Sequence, residues 1–174
     1  MNDSKNKQSA LPIPFTSRLF KSPSFTGLYK EGMNLIEETA SYLDGEGREA
    51  ARKLQPANSL VYASESMRLT TRLMQLASWL LLQRAAKEGE ITPEQATKEC
   101  KGIKIDRFFS FDPNNLNGKL PDPMLDLIQR SIRLQERIQH MDKMIALELQ
   151  SDRVSTAQNP IADQISKIRE AFHG

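Results

Sequence analysis

Cysteine is nearly absent from this sequence, in which Cys100 is the only one among 174 residues. A single cysteine cannot form a disulfide within the chain, and it leaves no CxxC motif for a zinc or redox site. The first residues also lead into no apolar stretch of the kind that secretion signals contain. We therefore predict a cytoplasmic protein, because disulfides are rare in that compartment.

Long apolar runs are missing as well. The longest continuous runs, such as Trp79 to Leu82, are far shorter than the roughly 18 residues that indicate a membrane-spanning helix. We therefore expect no membrane partner.

The chain has no strong excess of charge of either sign. Its 24 lysines and arginines face 22 acidic residues, which gives a net charge of +2. Proteins that bind nucleic acid through its phosphates usually carry a stronger positive charge on one face. A nucleic-acid partner is therefore a weaker candidate than a protein partner.

Motifs of catalysis and metal binding are also lacking. The sequence has no GxSxG, P-loop, HExxH or EF-hand pattern. Two histidines and one cysteine offer few of the nitrogen and sulfur ligands that a zinc site needs. Cys100 and His140 could act as nucleophile and base only if the fold brought them together. We predict that the protein is not an enzyme and uses no cofactor or metal.

Glycine and proline are missing from two long windows, residues 57–88 and 124–159. The first window predicts a helix from Pro56 to Glu88 that ends at Gly89. Two apolar seams run along it side by side, and both have helical spacing. The first seam contains Leu60, Ala63, Met67, Thr70, Met74, Ala77 and Leu81, and the second contains Tyr62, Leu69, Leu73, Leu76 and Leu80. Because one bundle position buries about one seam, we expect this helix to supply both core and interface.

Two further long helices follow from the same kind of pattern. Apolar residues at steps of three and four predict one over residues 24–43 and another from Asp122 to about Gln150. The predicted fold is all-α, with three long helices in an antiparallel bundle, short accessory helices and flexible termini. The domain boundaries are an N-terminal arm over 1–23, the bundle over 24–150, and a linker with a short amphipathic segment over 151–174.

Basic residues recur at helical spacing on two of the predicted helices. They are Arg68 and Arg72 on the second long helix and Arg130, Arg133 and Arg137 on the third. Such stripes are either solvated faces with local ion pairs or a docking surface for an acidic partner. Nucleic acid is a further alternative, although no helix typical of base recognition supports it.

Trp79 makes the second long helix apolar almost all round, because Trp79 to Leu82 advance through about 300°. A three-helix bundle cannot easily surround one of its helices, so we predict a homodimer that covers part of this level. Trp79 is accordingly a candidate contact residue, together with Arg68 and Arg72.

The end of the chain contains a short amphipathic segment. Its apolar residues Ile161, Ile165, Ile168 and Phe172 lie on one helical face. That spacing suits a helix that binds in the groove of a partner, and it equally suits a segment that folds back on its own bundle. Both alternatives stay open at the level of sequence.

Residues 62–85, YASESMRLTTRLMQLASWLLLQRA, resemble the alphaproteobacterial family typified by the regulator of CtrA degradation. Tyr42–Gly45 and Ser131–Ile138 agree with that family, and the resemblance covers residues 25–150. It implies a three-helix bundle without catalytic activity that acts as an adaptor in regulated proteolysis by ClpXP. The partners that it implies are ClpX with a priming response regulator, cargo proteins or further adaptors, and a second copy of the chain. The alternative function is a helical regulator that binds nucleic acid.

Overall fold

A computed structural model describes residues 23–103, 116 and 118–157, with side chains for 24–103, 116 and 118–151. The described residues form five helices and no strand, so the predicted all-α class is confirmed. The helices are α1 (Pro23–Asp44), α2 (Glu46–Arg52), α3 (Pro56–Glu88), α4 (Pro93–Gly102) and α5 (Asp122–Ala157). Three of them are long, with 22 residues in α1, 33 in α3 and 36 in α5.

The ends of α3 follow the predicted signals, and a side-chain cap marks the start of α4. Pro56 occupies the first turn of α3, where its missing N–H costs no hydrogen bond. Gly89 takes a left-handed conformation with φ of 80°, and its N–H donates to the carbonyls at the end of α3. Thr92 caps α4, because its hydroxyl oxygen accepts a hydrogen bond from the Gln95 N–H at 3.1 Å.

Helix α5 is longer than the sequence pattern predicted. It continues to Ala157, whereas we expected it to end near Gln150. The residues between these two positions are mostly polar but include no glycine or proline, so none of them ends a helix. The prediction of a linker from residue 151 is therefore wrong for residues 151–157.

Helix α1 runs antiparallel to α5. Arg130 of α5 binds both carboxylate oxygens of Glu38 on α1 at 2.7 Å. About two turns earlier on α1, Glu31 binds Arg137, which lies later on α5, at 2.6 Å. The residue numbers of these pairs fall along α1 as they rise along α5, so the two helices run antiparallel.

Helix α1 also runs antiparallel to α3. The Arg84 guanidinium donates to the Tyr29 hydroxyl at 2.9 Å, and Lys87 donates to the Thr26 hydroxyl at 3.1 Å. The Arg84 guanidinium lies 5.1 Å from the centre of the Tyr29 ring, and the Lys87 ammonium lies 5.6 Å from the centre of the Phe25 ring. The end of α3 is thus held at the start of α1.

Helices α3 and α5 run in the same direction, and α1 runs opposite to both, so the second and third long helices are the parallel pair of this three-helix bundle. Arg72 pairs with Ser131 at 2.9 Å, and further along both helices Trp79 pairs with Asp142 at 2.8 Å. Helix α5 therefore begins at the end of the bundle where α3 begins.

The core lies among these three helices. At Gly32 of α1 the helices approach so closely that a Cβ atom would lie 2.5 Å from the Leu80 Cδ1 atom of α3. The largest side chains that are almost fully buried are Phe25, Leu28, Leu35, Leu69, Leu76, Trp79, Leu80, Met124, Ile128, Leu134, Ile138 and Ile145. Of the two predicted seams on α3, only the one that contains Leu69, Leu76 and Leu80 is part of this core.

Candidate interaction surface

The other seam of α3 faces outward as a continuous apolar stripe. Leu60, Met67, Met74 and Leu81 are 75%, 73%, 66% and 52% exposed. They follow one another at intervals of seven residues, so they lie in one row along the helix. We call these four residues the α3 stripe. Large apolar side chains in a row at this level of exposure are typical of a contact surface.

The charged side chains in this part of α3 point away from the α3 stripe. Glu65 is 8% exposed and Arg72 is 4% exposed, so both are buried against the rest of the bundle. Arg68 lies at the edge of the stripe, where its guanidinium binds the Glu65 carboxylate at 2.6 Å. The outward face of α3 between Leu60 and Leu81 is therefore free of charge along its centre.

Three hydroxyl groups beside the α3 stripe are satisfied by their own helix. Thr70 and Thr71 donate to the carbonyls four residues earlier at 2.8 Å, and Ser78 does the same at 2.9 Å. A partner that covered these hydroxyls would leave none of them without a hydrogen bond. The stripe can therefore be buried at low cost although polar residues lie beside it.

Trp79 does not belong to this surface, which corrects the prediction from its sequence position. Its side chain is fully buried, and its indole N–H donates to the Asp142 carboxylate of α5 at 2.8 Å. The chain itself covers Trp79, because α5 packs against that side of α3. The side of α3 that stays open at this level is the one that carries Leu81, which is 52% exposed.

Arg72 is likewise a buried residue and not a surface contact. Its guanidinium donates to the Ser131 hydroxyl at 2.9 Å, and burial lowers its pKa from the usual value. Ser131 donates its own proton to the Ile128 carbonyl at 2.7 Å. Arg72 therefore joins α3 to α5 inside the bundle.

The three candidate arginines of α5, Arg130, Arg133 and Arg137, have different roles. Arg130 and Arg137 bind Glu38 and Glu31 of α1, so each closes the α1–α5 interface. The hydrogen bonds from Arg130 lower the pKa of Glu38 below its usual value. Arg133 is exposed and forms no ion pair with a described residue.

Cys100 and His140 do not form a catalytic pair. Cys100 is buried on α4, where its sulfur accepts a hydrogen bond from the Gln83 amide at 3.4 Å. Burial raises the pKa of its thiol to about 12, so the reactive thiolate does not form near neutral pH. His140 lines a groove between α1 and α5.

Neither a metal site nor a membrane-spanning helix is present within residues 23–103, 116 and 118–157. Within these ranges, no three histidine, cysteine, aspartate or glutamate side chains come close enough to hold a metal ion. No helix there combines the length and the apolar character needed to cross a membrane.

Sequence reasoning did not select the α3 stripe as a site, although it identified the seam. Heptad spacing is the same for a buried and an exposed row, so spacing alone could not separate them. The useful signal was the lack of charge among the outward residues from Leu60 to Leu81. The candidate tail residues Ile161, Ile165, Ile168 and Phe172, and the arm that precedes Pro23, lie outside the described residues.

Comparison with known proteins identifies a family and a solved structure to which this chain is similar. A family described as "Protein of unknown function (DUF1465)" matches residues 16–172, a wider span than the 25–150 of the sequence resemblance. RcdA from Caulobacter crescentus CB15, whose crystal structure is known, is 43% identical in sequence to this chain, and the two structures superpose with a TM-score of 0.58. That match covers 74% of this chain and 96% of the RcdA chain. None of the curated proteins matches the sequence.

Proposed function

Because the chain belongs to the DUF1465 family, the family of RcdA, we propose that it is a non-enzymatic adaptor in regulated proteolysis. In this role it helps to deliver cell-cycle regulatory proteins to the ClpXP protease in the cytoplasm. The observation that carries the proposal is the α3 stripe, a long exposed row of apolar side chains on a member of this family. Such a row acts by contact and requires no chemistry of its own.

The first partner of the stripe is a second copy of the chain. The four side chains read Leu, Met, Met, Leu in both directions at equal steps. A two-fold axis between Thr70 and Thr71 would therefore pair like with like. It places Leu60 against Leu81 of the partner subunit, with the two α3 helices antiparallel.

Methionine at the two central positions supports this use. Its unbranched side chain adapts to an irregular partner surface, and Met67 and Met74 both project from the helix with most of their surface exposed. Since the centre of the stripe bears no charge, two copies could meet without a repulsive contact.

Light scattering at tens of micromolar protein tests the dimer. The double variant Met67→Glu/Met74→Glu should be a monomer with an unchanged circular dichroism spectrum. The control, Gln129→Glu/Gln150→Glu, adds the same charge at exposed positions of α5 and should stay a dimer. A monomeric wild-type chain, or a dimer that survives both glutamates, contradicts the proposal.

Disulfide trapping tests the register. A chain with Leu60→Cys mixed with one that carries Leu81→Cys should form a linked heterodimer, because a disulfide needs Cα atoms within about 7 Å. Leu60→Cys alone should link poorly. Rapid linkage of Leu60→Cys to itself would indicate parallel helices and would overturn the antiparallel arrangement.

Contacts with the proteolytic machinery require surface that the stripe leaves free. Of the three candidate arginines of α5, Arg133 is the one that is available for an acidic partner, because Arg130 and Arg137 are engaged with α1. This engagement also weakens the alternative of nucleic-acid binding, because it neutralises the basic row that such binding would use.

A pull-down from an alphaproteobacterial lysate tests the adaptor function. The wild-type chain should retain ClpX or a response regulator, and Arg133→Glu should retain less of it than Gln129→Glu. Recovery of nucleic acid with no component of the protease would overturn the proposal in favour of a nucleic-acid regulator.

A further inference from the structure

A groove of about 440 Å³ lies between α2 and the first part of α3. Small side chains form much of its lining, namely Ala51 of α2 and Ser59 and Ala63 of α3, and Leu43 at the end of α1 adds apolar surface. Because most of these side chains are short, they leave a depression that no described residue fills. Its volume is sufficient for one large apolar side chain.

Helix α2 is one wall of this groove, and it lies close against α3. Gly47 of α2 is buried, and a Cβ atom added there would lie 2.6 Å from the Tyr62 hydroxyl of α3. Tyr62 is 7% exposed, so its ring has little room to move away. Only a residue without a side chain allows this approach, which places the groove directly beside α3.

The groove is continuous with the α3 stripe. Ala63 lines the groove, and it follows Leu60 by three residues and precedes Met67 by four. Residues at these intervals are neighbours on one face of a helix. A partner that packs along the stripe therefore comes within reach of the groove as well.

The surface beyond the two ends of the α3 stripe carries opposite charges. Glu88 continues the row by one further step of seven residues, and its side chain is 46% exposed. Beyond Leu60, at the other end, Arg52 lies four residues before Pro56 and lines the groove. Arg52 is exposed and forms no ion pair with a described residue. The surface is therefore acidic where α3 ends and basic where it begins.

Both charges are available for a partner. The acidic residues of α2, Glu46 and Glu49, are not among the residues that line the groove. Glu88 accepts a hydrogen bond from Arg84 of its own helix at 2.8 Å, but the side chains of this pair are 46% and 48% exposed. An exposed pair of this kind contributes little, so a second cation can bind the Glu88 carboxylate.

The two-fold axis proposed for the dimer brings complementary groups together here. It places Leu81 of the partner subunit at the level of Leu60, beside the groove. Glu88 of the partner subunit then lies about 10 Å further along, near Arg52, the last residue of α2. In a parallel pair of α3 helices, Glu88 would instead lie beside Glu88 of the partner subunit, so like charges would meet.

The helix face of Leu81 also matches the position of the groove. Leu81 follows Ala63 by 18 residues, which is five turns at 3.6 residues per turn. Both residues therefore lie on the same side of the α3 stripe. A two-fold axis perpendicular to two antiparallel helices keeps this side common to both subunits, so Leu81 of one subunit faces the groove of the other.

We propose that the groove between α2 and α3 receives Leu81 of the partner subunit and that Arg52 binds the Glu88 carboxylate of the partner subunit. This inference rests on the dimer proposed above and adds α2 to its interface. Each dimer contains the contact twice because of its symmetry. The charge pair sets the direction of the two α3 helices, since the reverse orientation opposes like charges.

Complementary charge reversal in two full-length chains tests the charge pair. Arg52→Glu sets glutamate against Glu88 of the partner subunit, and Glu88→Arg sets arginine against Arg52. At low salt, each variant alone should dimerise about tenfold more weakly than the wild-type chain. An equimolar mixture should form a heterodimer with the affinity of the wild-type dimer, because both of its contacts then join opposite charges. Sedimentation equilibrium measures the affinities, and native mass spectrometry identifies the heterodimer.

Lys98→Glu and Glu94→Arg are the matched controls. They make the same changes of charge at exposed positions of α4, so each should dimerise like the wild-type chain, and their mixture should give heterodimers in the statistical proportion. A mixture of the Arg52 and Glu88 variants that is no tighter than either variant alone would overturn the proposed contact. The recovery of affinity in the mixture also shows that both variants are folded.

Disulfide trapping tests the position of Leu81. A chain with Ala51→Cys mixed with one that carries Leu81→Cys should link under mild oxidation roughly tenfold faster than Glu49→Cys mixed with Leu81→Cys. Glu49 is the matched control because it lies about 200° around α2 from Ala51. Cys100 can stay in place, since it is buried. Equal rates for the two mixtures, or rapid linkage of Ala51→Cys to itself, would overturn the assignment of Leu81 to the groove.

These measurements separate failure of the contact from failure of the dimer. A wild-type chain that is a monomer overturns both proposals. A wild-type dimer that Arg52→Glu does not weaken overturns the contact alone, and so does linkage of Leu81→Cys to Leu60→Cys without linkage to Ala51→Cys. In either of these two cases the α3 stripe still joins the subunits, and α2 has no part in the interface.

Discussion

Trp79 of α3 and Asp142 of α5 are joined by a hydrogen bond of 2.8 Å between the indole N–H and a carboxylate oxygen. The indole is fully buried, so this bond satisfies a donor that water cannot reach. The bond joins the parallel helices α3 and α5 at this level. The aromatic residue that the sequence pattern assigned to a partner contact is a central residue of the bundle.

Removal of the carboxylate should destabilise the protein. Asp142→Ala leaves the buried indole N–H without an acceptor, and we expect a loss of about 1–3 kcal/mol in the free energy of unfolding. Asp142→Asn retains an oxygen acceptor and should lose less. Urea denaturation followed by fluorescence measures both, because Trp79 is the only tryptophan. Equal losses for alanine and asparagine would contradict the role given to this bond.

The buried Arg72–Ser131 pair should show a non-additive response. Ser131→Ala removes the acceptor of the Arg72 guanidinium, and a lost hydrogen bond to a charged group costs about 1.5–3 kcal/mol. Replacing the arginine too, in Arg72→Met/Ser131→Ala, removes the buried charge that lost its hydrogen-bond acceptor. We expect the double variant to be more stable than Ser131→Ala in urea denaturation. A double variant that is less stable would mean that Arg72 contributes mainly by packing.

The Arg130–Glu38 pair predicts a small dependence of stability on pH. The pKa of Glu38 lies below the ordinary 4.5 in the folded protein, chiefly because Arg130 donates hydrogen bonds to its carboxylate. The stabilisation is therefore complete above pH 4.5 and is lost as the pH falls through the lower pKa of the folded state. Both side chains are partly exposed, at 35% and 51%, so we expect Arg130→Gln to cost about 1 kcal/mol or less at pH 7.

Urea midpoints for the wild-type chain and Arg130→Gln at pH 7 and pH 3 measure this effect. The difference between the two proteins should shrink at the lower pH. A difference that grows on acidification would contradict the assignment of the lowered pKa to Arg130.

Two glycines of α1 should respond to alanine in opposite ways. A Cβ atom added at Gly27 would meet no other atom within 4 Å, so Gly27→Ala should stabilise the helix by about 0.5–1 kcal/mol. At Gly32 the Cβ would lie 2.5 Å from Leu80 Cδ1, a buried side chain. Overpacking costs about 1–3 kcal/mol, so Gly32→Ala should be a net loss. Thermal denaturation of both variants checks the contrast, and a gain for Gly32→Ala would mean that Leu80 moves aside freely.

The helices themselves were predictable because their signals are local. Pro56, Gly89 and Thr92 mark helix ends through the geometry of single residues. The end of α5 was not predictable in this way, since a polar sequence without glycine or proline ends a helix only if some other interaction favours it. Periodicity located the apolar seams for the same local reason.

The sequence could not show which face of each helix packs against another helix. The seam with Leu60 and the seam with Leu69 have similar apolar content, and only the positions of α1 and α5 decide which of them is buried. Arg130 and Arg137 looked like a free basic row because their acidic partners, Glu38 and Glu31, are about a hundred positions away in the chain. The candidate site depends on these distant contacts, so it emerged only with the fold.

The shared direction of α3 and α5 makes the two ends of the bundle unequal. Helix α1 begins, and α3 and α5 end, at the same pole. In the antiparallel dimer proposed above, these poles point in opposite directions along an α3 helix of 33 residues, about 50 Å in length. Such a dimer therefore has two equivalent ends that lie far apart. Each end could hold its own partner without a clash with the other.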